Sequence, residues 1–221
     1  MLRHHRHEVV LASALSSLAG FVDAIGFLEL GGYFVSFMSG NTTQAGVNLG
    51  RGDFRNFGLA FGLIIAFVAG VVLGTQVGRR SGANRRVVLL VLVACVLGLA
   101  ALFHTIPGVA FVAPPVMAIA MGAENSVFER DGEVTIGLTY ITGTLVKLGQ
   151  HLSRLLDGER SRGWLRYLGL WAGLATGTFL GALSYVRIGL TSLWIAAAFA
   201  AAAALYVWRD GRPSRRIKSA S

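Results

Sequence analysis

Cysteine is almost absent from this sequence, and charge is scarce. Across 221 residues there are one cysteine and four prolines, with 14% of residues charged against 54% hydrophobic. A single thiol excludes an internal disulfide and a thiolate metal cluster. Cys95 stands in an apolar run and reads as a small buried hydrophobe. The histidines form no ligand set, since His4, His5 and His7 crowd a basic amino-terminal tail, so neither a metal nor another cofactor is expected. Too little polar surface remains to cover a soluble globule of this size. Acidic side chains are the rarer sign, 11 against 20 basic ones. The net charge of +9 could draw nucleic acid. The basic residues stand instead in short loops and tails between apolar runs, which orients a membrane protein; no nucleic-acid partner is expected.

What the chain has in abundance is apolar length. Runs long enough to cross hydrocarbon predict membrane helices at about 9–30, 56–78, 86–105, 108–128, 164–186 and 189–208. Val9 to Leu18 after a basic tail, with Ala12-Ser13-Ala14, has the form of a cleavable leader. Its apolar stretch runs on to Leu30, however, so a retained first helix is expected.

Two further segments, 33–50 and 134–155, keep a helical period but are too polar to face lipid. If both re-enter on the side they came from, the chain crosses six times with both termini cytoplasmic. Arg51, Arg55 and Arg187 are then the only lysine or arginine residues outside. Full crossings would carry Arg79 to Arg86 outside and leave Lys147 in the membrane. The expected fold class is therefore all-α and polytopic, with six transmembrane helices plus two re-entrant or broken polar helices.

The chain also repeats itself. Ser36, Ser39, Gly40 and Gly46 recur 103 residues later as Thr139, Thr142, Gly143 and Gly149. Gly20-Phe21-Val22-Asp23 meets Gly122-Ala123-Glu124-Asn125 at an offset of 102, and Gly62, Ala66, Gly70, Gly74 meets Gly169, Gly173, Gly177, Gly181 at 107. One integral membrane domain is expected from a first repeat over 1–105 and a second over 106–208, followed by a basic cytoplasmic tail, 209–221. Three crossings per half make these inverted-topology repeats, the plan by which many carriers build a central site.

The polar segments carry the candidate chemistry. Gly31-Gly32 gives the chain a place to turn, and Gly40 can break the helix beside Asn41, Thr42 and Thr43. Beyond it Asn41, Gln44 and Asn48 share one helical face, as do their counterparts Thr144, Lys147 and His151. Two such faces would meet across the pseudo-two-fold axis. The plainer reading is that these groups tie helices together, at about 1 kcal/mol each, and that Lys147 snorkels to the interface.

Asp23 lies deep in the first apolar run, where an ionisable group must be paired, hydrated or protonated. It is the candidate for proton or cation coupling, its plainer role being a hydrogen bond to the Ser39–Thr43 loop. The second copy displaces the carboxylate by one position, to Glu124 beside Asn125. Glu29, Glu129 and Asp131 fall at helix ends and are expected to face water.

The small-residue ladders let helices 56–78 and 164–186 pack closely, on each other across the axis or in a homodimer. Pro114-Pro115 should kink the 108–128 span.

With Gly20-Phe21-Val22-Asp23-Ala24-Ile25-Gly26-Phe27, Phe37-Met38-Ser39-Gly40-Asn41-Thr42-Thr43 and Tyr140-Ile141-Thr142-Gly143-Thr144-Leu145 in view, the chain resembles the YoaK family of bacterial membrane proteins, long carried as a domain of unknown function (DUF1275). The resemblance extends over nearly the whole chain. It implies a polytopic inner-membrane protein loosely described as a transporter, and supplies no substrate.

The expected function is secondary transport of a small polar or anionic solute. Its site would draw on Ser39, Asn41, Thr42, Thr43, Gln44, Asn125, Thr142, Thr144, Lys147 and His151, with Asp23 and Glu124 as coupling groups and membrane lipid as the surrounding partner. A non-catalytic scaffold or assembly factor is the alternative. An intramembrane serine hydrolase, Ser39 with His151 as base, lacks the protease-type Gly-x-Ser-Gly because position 37 is Phe. No enzyme activity is expected.

Overall fold

A computed structural model describes the backbone of residues 2–130, 133–134, 141–158 and 163–210, and side chains over 9–128, 141–158 and 163–210. Asp131, Thr139, Tyr140 and the basic tail beyond Asp210 lie outside the described residues, as does the Glu129 side chain.

The described residues form α1 (Leu2–Glu29), α2 (Met38–Gly50), α3 (Phe54–Arg80), α4 (Arg85–Thr105), α5 (Ala113–Asn125), α6 (Ile141–Leu156), α7 (Trp164–Ile188) and α8 (Leu193–Asp210). A two-residue antiparallel ladder, Glu129–Arg130 with Glu133–Val134, follows α5. Five stretches are long and apolar enough to cross a membrane: Val9–Glu29, Phe54–Arg80, Gly82–Thr105, Ala110–Phe128 and Trp164–Asp210. The last holds both α7 and α8 around a 3-10 turn at Gly189–Ser192. At 13 and 16 residues, α2 and α6 are about 20 and 24 Å long. Neither spans a hydrocarbon core of about 30 Å upright.

Local chemistry sets the ends. Gly31 and Gly32 take positive φ (65° and 116°) and reverse the chain after α1. Asp53 caps α3 by accepting the Asn56 amide at 3.1 Å, and Arg79 and Arg80 occupy its last turn. Two expectations fail here. Pro114 and Pro115 do not kink a span; they sit in the first turn of α5, where a missing N–H costs nothing. Gly40 does not break a helix either, since α2 runs through it from Met38.

Packing is reciprocal. α1 lies on α7, α3 on α5, α2 on α3 and α6 on α7, while α4 packs on both α5 and α8. Contrary to one of the two arrangements expected above, the glycine ladders do not pack on each other. A Cβ on Gly177 would run into the Ser17 carbonyl of α1, and one on Gly70 into the Ile119 carbonyl of α5. Gly20 and Gly122 return the contact toward Leu174 and Phe67. The reason is physical. Between membrane helices there is little hydrophobic gain, so small residues favour close backbone approach, and Gly20 of α1 and Gly122 of α5 answer the ladders of α7 and α3 at these crossings. Gly70 and Gly74 of α3 and Gly173, Gly177 and Gly181 of α7 are filled within the chain, while Gly62 has open space around it.

The core joins Leu15, Leu18, Val22 and Ile25 of α1, Leu89, Val93 and Leu97 of α4, Met117 and Met121 of α5, and Leu193 and Ala200 of α8. Phe61, Ile65, Val68 and Val72 of α3 are exposed along one stripe, a lipid-facing edge. Cys95 is exposed as well, not buried as expected. The buried Val93 and Leu97 of α4 put it on the opposite face.

Candidate functional site

The site forms where the chain doubles back beyond α1. After the Gly31-Gly32 turn, residues 33–36 return along the helix they left. Gly26 permits this, because a Cβ there would lie 2.7 Å from Val35 Cγ1. Asp23 then holds the returning strand. Its Oδ1 accepts the amides of Val35 and Ser36, each at 2.8 Å, and the Ser36 hydroxyl and Phe37 amide also turn toward the carboxylate. An extended segment at membrane depth must have its amides satisfied internally, and Asp23 does this for two of them.

Gly40 has a role unlike the expected break. A Cβ on it would lie 2.7 Å from the Phe37 ring and 2.8 Å from that of Phe34. Its absence lets both rings settle against the first turn of α2. Phe34 touches Phe27 at 5.0 Å between centroids and Phe37 at 5.3 Å, the latter edge-on.

These groups border a cavity of about 540 Å³ lined by Asp23, Ala24, Phe27, Phe34, Ser36, Phe37, Ile141, Thr142, Leu174, Thr178 and Ala182. That is a volume typical of small-molecule sites. The first half of the chain contributes α1 and the returning loop; the second contributes the start of α6 and the middle of α7. The two polar segments therefore border one cavity, through Phe34, Ser36 and Phe37 of the first and Ile141 and Thr142 of the second. Among the described residues Asp23 is the only charged one in the lining.

The expected meeting of two polar helical faces does not occur. Asn41 is fully buried and spans Phe34, accepting its amide at 2.9 Å and donating to its carbonyl at 2.6 Å. Gln44 donates to the Gly32 carbonyl at 3.3 Å and Asn48 to the Tyr33 hydroxyl at 2.9 Å. That face is spent on its own loop, whose backbone needs partners in a medium without water. Thr42 and Thr43 are exposed and bond back to the Met38 and Ser39 carbonyls, and Ser39 is exposed. In α6, Thr144 is buried, while His151 stacks on Tyr167 of α7 at 5.3 Å. Lys147 places its ammonium 5.9 Å from the same ring. Of the α6 set, Thr142 alone lines the cavity.

The two coupling candidates differ sharply. Asp23 is partly exposed and well supplied with donors. Glu124 is 0% exposed, and neither of its carboxylate oxygens has a hydrogen-bond partner among the described residues. Asn125 bonds back to the Met121 carbonyl at 2.9 Å. Among the described residues no three His, Cys, Asp or Glu side chains gather where a metal could sit.

Sequence reasoning missed the aromatic wall, Phe27, Phe34 and Phe37, and the α7 wall of Leu174, Thr178 and Ala182. The spacing of Phe34 and Phe37 around a glycine-bounded polar stretch was a usable signal. Nothing in α7 marked Thr178, whose hydroxyl bonds to the Leu174 carbonyl as helix threonines often do.

The family described as "Protein of unknown function (DUF1275)" matches residues 11–206. The chain is 37% identical over 224 residues to the UPF0700 transmembrane protein RA0705 of Rhizobium meliloti (strain 1021), covering 99% of this chain and 96% of that one. It is 28% identical over 164 residues to the UPF0700 transmembrane protein YoaK of Bacillus subtilis (strain 168), covering 71% and 72%. No solved structure matches. The chain is a multi-pass membrane protein and belongs to the DUF1275 family, alongside YoaK.

Proposed function

We propose that this protein is a secondary transporter of the bacterial inner membrane, with the Asp23 cavity as its solute site. The single observation that carries the reading is that cavity: both halves of the chain build it, it holds one carboxylate, and it has the volume of a small solute. In this reading the halves are inverted repeats, and the chain crosses six times with both termini cytoplasmic. The short α2 and α6 do not cross fully. The reciprocal packing of α1 on α7 and α5 on α3 supports the repeat. Rocking of one half against the other would open the cavity alternately to the two sides.

The expected preference for an anion rested on Lys147, which packs on Tyr167 outside the cavity, as does His151. The proposal keeps the carrier and drops the anion. It also moves proton coupling from Asp23, whose carboxylate clamps a loop, to Glu124. An unpartnered buried carboxylate needs a proton or counter-ion to neutralise it. No covalent chemistry is assigned: Ser39 and His151 sit on different helices and neither lines the cavity.

The scaffold alternative draws on the glycine ladders, and on Asn41, Gln44 and Asn48, whose side chains bond to their own loop. Normal cellular function in an inserted Asp23→Asn, Lys147→Met double variant would favour it. For transport, the purified protein is screened by thermal unfolding against metabolites at two pH values, since a bound solute raises the melting temperature. Hits lost in Ala182→Trp, which fills the cavity, and exchanged by counterflow in proteoliposomes support the carrier. Hits that show no counterflow refute it.

A further inference from the structure

We infer that the Asp23 cavity takes a small organic cation, an amine or quaternary ammonium carried on an apolar body; this rests on reading the cavity as the solute site. Three features point to that class. Among the described residues Asp23 supplies the sole charge in the lining, and no lysine, arginine or histidine stands beside it there. The amides of Val35 and Ser36 hold the carboxylate in place but bring no positive charge of their own. A cationic guest completes the charge balance of an otherwise apolar chamber, whereas an anion would meet repulsion there.

The second feature is the aromatic wall. Phe27, Phe34 and Phe37 stand in one contiguous cluster, with centroids 5.0 and 5.3 Å apart, and all three line the cavity beside Asp23. Ring faces attract cations, and cages of this kind are the usual means of holding quaternary ammonium groups. Third, the remaining walls among the described residues are Ala24, Ile141, Leu174 and Ala182, with three hydroxyls, on Ser36, Thr142 and Thr178. The Ser36 hydroxyl turns toward Asp23. Thr178 already donates to Leu174. A sugar or a polyol would leave its hydroxyls unpaired against such walls, while a hydrocarbon body is accommodated.

The test uses the full-length protein in detergent micelles, with benzyltrimethylammonium chloride and sodium phenylacetate as probes, read by isothermal titration calorimetry. Saturable binding of benzyltrimethylammonium is expected, and none of phenylacetate. Affinity should fall about tenfold in Asp23→Asn and several-fold in Phe27→Leu, vanish in Ala182→Trp, and be unchanged in Lys147→Met. Phe27 is partly exposed, so Phe27→Leu keeps the test open if Asp23→Asn releases the loop and fails to fold. Absence of saturable binding, equal binding of phenylacetate, or affinity unaffected by Phe27→Leu and Ala182→Trp would overturn the inference. So would a phospholipid held in the cavity through purification that the ammonium does not displace. Counterflow separates the two proposals. Binding without counterflow removes the carrier and leaves the cation site; counterflow of neutral or anionic solutes alone does the reverse.

Discussion

The carbonyl of Ser17 lies so close to Gly177 that no Cβ fits between them, and the carbonyl of Ile119 bears the same relation to Gly70. Position 119 follows 17 by 102 residues and 177 follows 70 by 107, the offsets at which the sequence repeats. Each half thus supplies the ladder on which the other half's first helix rests. Gly177→Val should destabilise the protein by about 1–3 kcal/mol, the usual cost of overpacking. Gly62→Ala, at a position with open space around it, should be neutral or slightly stabilising. Thermal unfolding of the two purified variants beside the parent checks both.

Asp23 should behave first as a clamp. Asp23→Ala leaves the amides of Val35 and Ser36 without their acceptor. Hydrogen bonds to a charged group contribute about 1.5–3 kcal/mol, so a loss of that size is expected. Hydrogen–deuterium exchange should quicken at residues 33–37 and hardly change in α4 and α8. Uniform exchange across the molecule would contradict a local clamp.

Glu124 should behave in the opposite way. A carboxylate without partners in an apolar core contributes nothing that methionine cannot, and buried charge replaced by an apolar side chain is often neutral or stabilising by about 1–4 kcal/mol. Glu124→Met should therefore melt no lower than the parent and transport without response to a pH gradient. A large fall in melting temperature would mean that Glu124 holds the fold together.

Asp53 gives the account a pH dependence outside the membrane. The amide and side chain of Asn56 hold its carboxyl below the ordinary value of 3.8. A depressed folded value means the cap stabilises α3 fully above that ordinary value and is lost as pH falls through the lower folded one. Exchange at the Asn56 amide should stay protected at neutral pH, quicken only in strong acid, and be fast at every pH in Asp53→Ala.

The apolar spans and the close small-residue packing were legible because both are written in residue type: run length for one, glycine spacing for the other. The turn at Gly31-Gly32 was legible for the same reason. What α2 does with its polar face was not. Period alone puts Asn41, Gln44 and Asn48 on one side, but it cannot say whether that side meets another helix or the nearest unpaired backbone. The loop at residues 32–34 lies closer in the chain and has the greater need, so it wins. Gly40 misled for a related reason. Its missing side chain makes room for Phe34 and Phe37, whereas a conformational reading predicts a break. Cys95 and the proline pair show the same limit: which face or which turn a residue occupies is decided by its neighbours in space.

The central claim, that the Asp23 cavity opens in turn to both sides of the membrane, has a direct test in a Cys95→Ser background with Thr142→Cys placed on the cavity wall. Reaction with a membrane-impermeant maleimide is followed from each side of sealed vesicles, with and without benzyltrimethylammonium. Labelling from both sides is expected, slowed on both by the ammonium. Labelling from one side only, or from neither while a membrane-permeant maleimide reacts freely, would contradict it.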